Sequence, residues 1–209
     1  MNHLNKKLAI GFSLLVLTAS GCAHAVMVAP KIPEYVVPSK DKIPLHIGVY
    51  AADEFKGYKV SESRWGDTWN YSNLGEASYT QLRFGLERIF RQVETVNEKP
   101  SDLKSKFPGL QAVIEPRVDK FEFDIPFTKF QIYPARIHYS YSIFDMSGNL
   151  IVKNSVERVG NLEGRLTPDF AENPARSATK AVEDGISKML ESILASEEVR
   201  ELARKSGGG

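Results

Sequence analysis

Residue types able to do covalent or acid–base chemistry are few in this chain. Cys22 is the only cysteine, and the histidines are His3, His24, His46 and His138. A thiol or an imidazole works as nucleophile or base only when a partner sets its protonation and orientation. His46 and His138 lie on alternating stretches with no Asp, Glu or His nearby at metal-ligand spacing, so solvated strand histidines are the simpler reading. Glu122 and Asp124 share one strand face, which could appose two carboxylates for acid–base work. They alternate with Phe121 and Phe123 as outward positions do, and solvation is the expectation. Gly160-Asn161-Leu162-Glu163-Gly164-Arg165 lacks the Lys-Ser/Thr ending of a phosphate loop, and no Gly-x-Ser-x-Gly elbow is present. No catalytic constellation, cofactor or metal site is expected.

Two aromatic stretches stand out instead. One is Trp65-Gly66-Asp67-Thr68-Trp69-Asn70-Tyr71; the other, Phe127 to Tyr133, is held between Pro126 and Pro134. Exposed, Trp65, Trp69, Phe127 and Phe130 would be candidate contacts for a protein partner, because aromatic anchors dominate interface energetics. Buried, they would close the ends of a sheet core.

The elements that must position these residues follow from periodicity. Leu45 to Tyr50 alternates as a strand. Tyr58 to Tyr71 forms either a hairpin turning at Gly66-Asp67 or a long loop. From Glu76 to Phe90 the step becomes helical, with Tyr79, Leu82, Leu86, Ile89 and Val93 in one apolar stripe and Ser72 or Asn73 as cap. Gln92 to Val96 is a short strand. Pro100, Pro108 and Gly109 break residues 97–109 into a loop.

Ala112 to Ile125 is a long strand whose apolar phase changes near Asp119-Lys120, as a β-bulge would cause. Pro116 points to an edge or to the bulged side. Ala135 to Ile143 alternates most cleanly, and Asp145 to Asn149 turns the chain into a returning strand carrying Leu150, Val152 and Val156. Asn173-Pro174 starts a helix whose buried face is Ala178, Val182, Ile186, Met189, Leu190 and Ile193. Ser196-Glu197-Glu198 restarts a short terminal helix. Strands and helices segregated in this way predict an α+β fold, a mostly antiparallel sheet with two main helices packed on one face.

The N-terminal end explains Cys22. Lys6 and Lys7 precede a ten-residue apolar run, Leu8 to Leu17, and small residues close it. This is the three-part form of an export signal; the run is too short for a bilayer, which needs about 20 apolar residues. Ala19-Ser20-Gly21-Cys22 resembles the lipobox of bacterial lipoproteins, with Ala19 where leucine is commonest. The resemblance implies a thioether-linked diacylglycerol on Cys22, removal of residues 1–21 and acylation of the new amino terminus. Several acyl chains at about 0.8 kcal/mol per buried CH₂ anchor stably. An ordinary secreted protein with a stray cysteine is the competing reading; an unpaired thiol at that place is itself in need of a cause.

Cleavage reduces the 27 basic residues to 25 against 26 acidic ones, a mature chain near −1. That charge gives no case for nucleic acid or anionic lipid. The expected organisation is a signal peptide over 1–21, a lipid-anchored tether over 22–43 stiffened by Pro30, Pro33 and Pro38, one α+β domain over 44–205, and a disordered tail over 206–209.

The element order and the Tyr-rich strand ending in Asp145-Met146-Ser147-Gly148-Asn149 resemble small envelope lipoproteins, such as the auxiliary lipoproteins of ABC-type transporters and YajG-like lipoproteins. That resemblance implies binding or assembly roles. The expectation is a non-catalytic accessory subunit on the periplasmic face of the outer membrane, since Ala23 stands where Asp would resemble an inner-membrane retention signal. A carrier for a small apolar ligand or lipid, held between helices and sheet, is the alternative.

Overall fold

The alternating stretch from Ala135 is the centre of the molecule. In the computed structural model, which describes residues 22–31, 42–64, 66–99, 107, 109–124, 133–160 and 172–206, it forms strand β7 (Ala135–Asp145). Its odd-numbered residues from Ala135 to Ile143 are buried, while Arg136, His138, Ser140 and Ser142 face outward.

Eight strands and four helices are described. In chain order they are β1 (Ala23–Val26), β2 (Ile43–Tyr50), α1 (Asp53–Lys56), β3 (Val60–Arg64), β4 (Asp67–Tyr71), α2 (Leu74–Ile89), β5 (Phe90–Val96), β6 (Ala112–Phe123), β7, β8 (Leu150–Gly160), α3 (Glu172–Ala195) and α4 (Glu197–Ser206). The fold is α+β, as the segregation of elements predicts. A five-stranded sheet has the order β5-β2-β6-β7-β8, and a three-stranded sheet has the order β1-β4-β3. The long ladders β6–β7 and β7–β8 are antiparallel. The shorter pairings of β2 with β5 and with β6 are parallel.

The register of β6 shifts between Val118 and Lys120, so the bulge falls where the change of phase places it. Pro116 is tolerated in a central strand because β2 pairs with β6 only from Ala112 to Ile114. Beyond Ile114 that side of β6 is a local edge with no ladder donor for proline to remove.

Helices α2 and α3 pack on one face of the five-stranded sheet. The apolar face of α3 expected from spacing is buried in full: Ala178, Val182, Ile186, Met189, Leu190 and Ile193. At Gly185 the helix approaches the sheet so closely that a Cβ would stand 2.6 Å from Cε2 of Tyr139. Tyr139 is fully buried and satisfies its hydroxyl against Ser78 Oγ at 2.6 Å. Burial pushes its phenol far above the ordinary value of 10.0. On the opposite sheet face Val113 is out of phase with Ala112 and Ile114, and packs with Val96 and Leu110 in a second, smaller cluster.

Asn73 occupies the N-cap of α2 but does not cap it with its side chain; its amide is committed elsewhere. Helix α3 begins at Glu172, one residue ahead of Asn173, with Pro174 in the first turn, where no intrahelical donor is lost. Helix α4 runs to Ser206, one residue into the expected tail; residues 207–209 lie outside those described.

One boundary needs correction. The tether expected over 22–43 is not a spacer in its described parts, because β1 pairs with β4 and both Val26 and Val28 are buried in the main core. The physical reason is visible in the local alternation. Val26 and Val28 point in, and Met27 between them is 59% exposed. Lys42 is likewise fixed, its Nζ donating to Glu87 O at the end of α2 at 2.7 Å, where helix carbonyls lack partners.

Candidate membrane-attachment site

Cys22 is exposed and immediately precedes β1. Its backbone is held on both sides. The Cys22 N–H donates to Asp67 Oδ1 at 3.0 Å, and the Thr68 N–H donates to Cys22 O at 2.9 Å. Asp67 stands at the start of β4, directly after Gly66, whose φ of 88° supplies the left-handed residue of the β3–β4 hairpin. The hairpin alternative for Tyr58 to Tyr71 is thus the one adopted. His24 stacks on Trp69 with ring centroids 4.3 Å apart, and its Nε2 lies 3.5 Å from Asp67 Oδ2.

Downstream of β1 the chain continues as a strap across both long helices. Asn73 grips the main chain of Val28 twice: the Val28 N–H donates to Asn73 Oδ1 at 3.0 Å, and Asn73 Nδ2 donates to Val28 O at 2.6 Å. The Ala29 N–H donates to Thr179 Oγ1 at 3.2 Å, and the Lys31 N–H donates to Glu183 Oε1 at 2.8 Å. Gln81 Nε2 reaches Lys31 O at 3.3 Å. These bonds join residues 45 to 152 apart in sequence, so no local pattern could announce them. The one local signal for β1 is the Val26-Met27-Val28 alternation.

The aromatic candidates divide. Trp69 is 4% exposed, so its ring belongs to the core and is not presented at the surface. It is wedged between His24 and Phe123, the latter 5.8 Å away, because β4 alternation turns Trp69 and Tyr71 together toward the core. Tyr71 packs on Phe121 and Phe123 at 4.8 and 5.4 Å, and burial raises its phenol well above the ordinary range, with Glu62 adding to the effect. Trp65, Phe127 and Phe130 lie outside the described residues. Tyr133, the last residue of the second stretch, stacks on Phe123 at 6.3 Å.

The histidines find carboxylates that are remote in sequence. His46 Nε2 is 3.1 Å from Glu94 Oε1 across the β2–β5 pair. His138 lies between Glu122 and Glu157, at 3.8 and 3.7 Å, on the outer face of the five-stranded sheet. Glu122 is bridged to Lys120 at 2.6 Å, and that hydrogen bond holds its carboxyl below the usual range. Asp124 is exposed beyond the end of β6. Sheet pairing thus spreads these groups along solvated charged faces and, among the described residues, does not bring them together with a nucleophile. A cleft of about 1000 Å³ lies beside the open edge of β6, with Tyr50, Glu54, Lys56, Lys99, Glu115 and Arg117 in its lining. Arg117 is bound to Glu115 at 2.9 Å, which raises the guanidinium above its ordinary value.

Nothing among family models or curated proteins matches the chain by sequence. Among solved structures, protein XCC0632 from Xanthomonas campestris, of the family model DUF330, is similar over 90% of this chain and 98% of its own, at 11% identity and a TM-score of 0.51. At that identity the likeness is one of fold. A minor lipoprotein from Acinetobacter baumannii is similar over 72% of this chain and 92% of its own, at 12% identity and a TM-score of 0.44. Lipoprotein GNA1162 from Neisseria meningitidis is similar over 73% of this chain and 100% of its own, at 10% identity and a TM-score of 0.38.

Proposed function

We propose that the chain is a lipoprotein of the cell envelope, anchored through acylated Cys22. Its single α+β domain acts, without catalysis, as an accessory or binding subunit in the transport or assembly of envelope components. The observation that carries this reading is the coincidence of two boundaries. The lipobox-type sequence ends at Cys22, and the first strand begins at Ala23 with the Cys22 side chain exposed. A diacylglyceryl group on that sulfur therefore displaces no packed side chain. Ala23 in the position after the anchor favours the periplasmic face of the outer membrane.

The carrier alternative asks for an apolar chamber between helices and sheet. Among the described residues that space is taken up by Tyr139, Tyr141, Ile186 and Met189, all buried, and Tyr141 closes against Ser192 Oγ at 2.9 Å. A mostly apolar opening of about 430 Å³ lies between α2 and α3, lined by Gly85, Ile89, Leu190 and Leu194, but it is lined by the helices alone and not by the sheet.

Cys22→Ser tests the anchored reading. The variant should lose incorporation of labelled palmitate and leave the membrane fraction, while its folded domain is retained. A variant that stays membrane-bound and is processed like the parent would remove the basis of the proposal.

A further inference from the structure

The strap changes what an anchor at Cys22 does. A flexible spacer lets a folded domain rotate and stand off from the lipid surface, its reach growing with the square root of its length. Here no such spacer follows Cys22. Residues Cys22 to Lys31 are bound to the hairpin, to α2 and to α3 in succession. Lys31 and Lys42 are both held on the domain, and among residues 22–31 no free stretch separates Cys22 from it.

We infer, building on the lipidation reading, that the anchor is docked: the hairpin end of the small sheet rests on the lipid headgroups and the domain holds one orientation on the bilayer. Asp67 is the positioning residue. Acylation of the α-amine leaves one N–H on Cys22, and one N–H is what Asp67 Oδ1 accepts, so the contact survives maturation. The Cys22 carbonyl takes the Thr68 N–H, and the His24 ring lies flat on Trp69. The lipid is thereby attached within one residue of a three-stranded sheet.

The direction of the strands sets the orientation. β1 runs parallel to β4, with Ala23 opposite Thr68 and Val26 opposite Tyr71. At about 3.3 Å per residue the five residues of β4 carry the chain roughly 13 Å from the Cys22 end of the small sheet. At that far end the Gly75 N–H donates to Tyr58 O at 3.0 Å, which fixes α1 and the adjoining charged cleft on the side away from the membrane. A lipid surface is thus the partner of the hairpin end, and the cleft beside α1 is left facing the aqueous space.

Two exposed positions report on this. Ser63 pairs with Thr68 at the hairpin end, and Glu54 lies on α1. In the lipidated protein, S63C and E54C accept a nitroxide while Cys22 is occupied by its thioether. On vesicles of phosphatidylethanolamine and phosphatidylglycerol, the label at 63 should lose access to an aqueous nickel chelate, and the label at 54 should keep it. Hydrogen exchange gives a second readout: Asp67→Ala should speed exchange of the Thr68 amide by about tenfold, the worth of one net hydrogen bond. Full chelate access at both positions, in protein shown by mass to be acylated and vesicle-bound, overturns the docked anchor and leaves the lipidation reading standing. Protein with an unmodified Cys22 that does not bind vesicles overturns both.

Discussion

The five-stranded sheet and the three-stranded sheet share one hydrophobic core but are held by different means. The larger is covered by α2 and α3, whose small and apolar residues at helical spacing meet the buried tyrosines of β7. Its stability is a matter of packed area. Among the described residues the smaller has no helix of its own to cover it. It is closed by one edge strand, β1, by side chains that bind main-chain groups of residues 22–31, and by Trp69 and Tyr71 inserted toward Phe121 and Phe123. Loss of packing should therefore unfold the first region with the whole domain, whereas loss of a polar grip should release the second alone.

Substitutions can break or sharpen that contrast. Tyr139→Ala removes a fully buried ring from under Gly185 and should cost about 4 kcal/mol, read as a lower denaturation midpoint with a single cooperative transition. A loss confined to one region would contradict the packed-core account. Trp69→Ala, at about 3 kcal/mol, should also destabilise the domain, and with it raise exchange in Ala23 to Val26. If the variant instead kept full stability and lost only a binding partner, Trp69 would be a contact residue after all.

Asn73→Ala sits between the two regimes. It frees the Val28 N–H and C=O from their side-chain partner, and about 1–2 kcal/mol is expected, felt as fraying of the strap with α2 intact. Exchange rates unchanged across residues 23–31 would show that Asn73 does not hold the strap.

The smallest effect belongs to the charged outer face. Glu122 is held below its ordinary carboxyl value of 4.5 by Lys120. A depressed folded value means that its contribution is complete above the ordinary value and is lost as pH falls through the folded one. Glu122→Gln should therefore lower stability slightly at neutral pH and leave it unchanged at acid pH, which flattens the acid side of the pH–stability curve. An acid limb as steep as the parent's would mean that the Lys120 contact adds no net stability.

How far these features were legible follows the same division. The buried faces of α2 and α3, the β6 bulge and the alternation of β7 each arise within one element, so period and phase expose them. The strap does not. Pro30, Pro33 and Pro38 suggested a spacer, but the burial of Val26 and Val28 depends on Asn73, Thr179 and Glu183, which are distant in sequence. The same holds for His46 with Glu94 and for His138 with Glu122 and Glu157, where strand pairing supplies carboxylates that sequence neighbours do not. Trp69 was ambiguous because a strand flanked by a turn can place an aromatic ring on either face. The identity of the neighbouring layer, β6 carrying Phe121 and Phe123, decides it.

The central claim is that the mature chain begins at Cys22 with lipid on its sulfur and that this terminus is the edge of a sheet. Intact mass of the protein extracted from membranes, with fragmentation of its N-terminal peptide, tests it most directly. The account predicts a peptide starting at Cys22 that carries a diacylglyceryl thioether and an N-acyl chain. A peptide that retains residues before Cys22, or starts there with a free thiol, contradicts it.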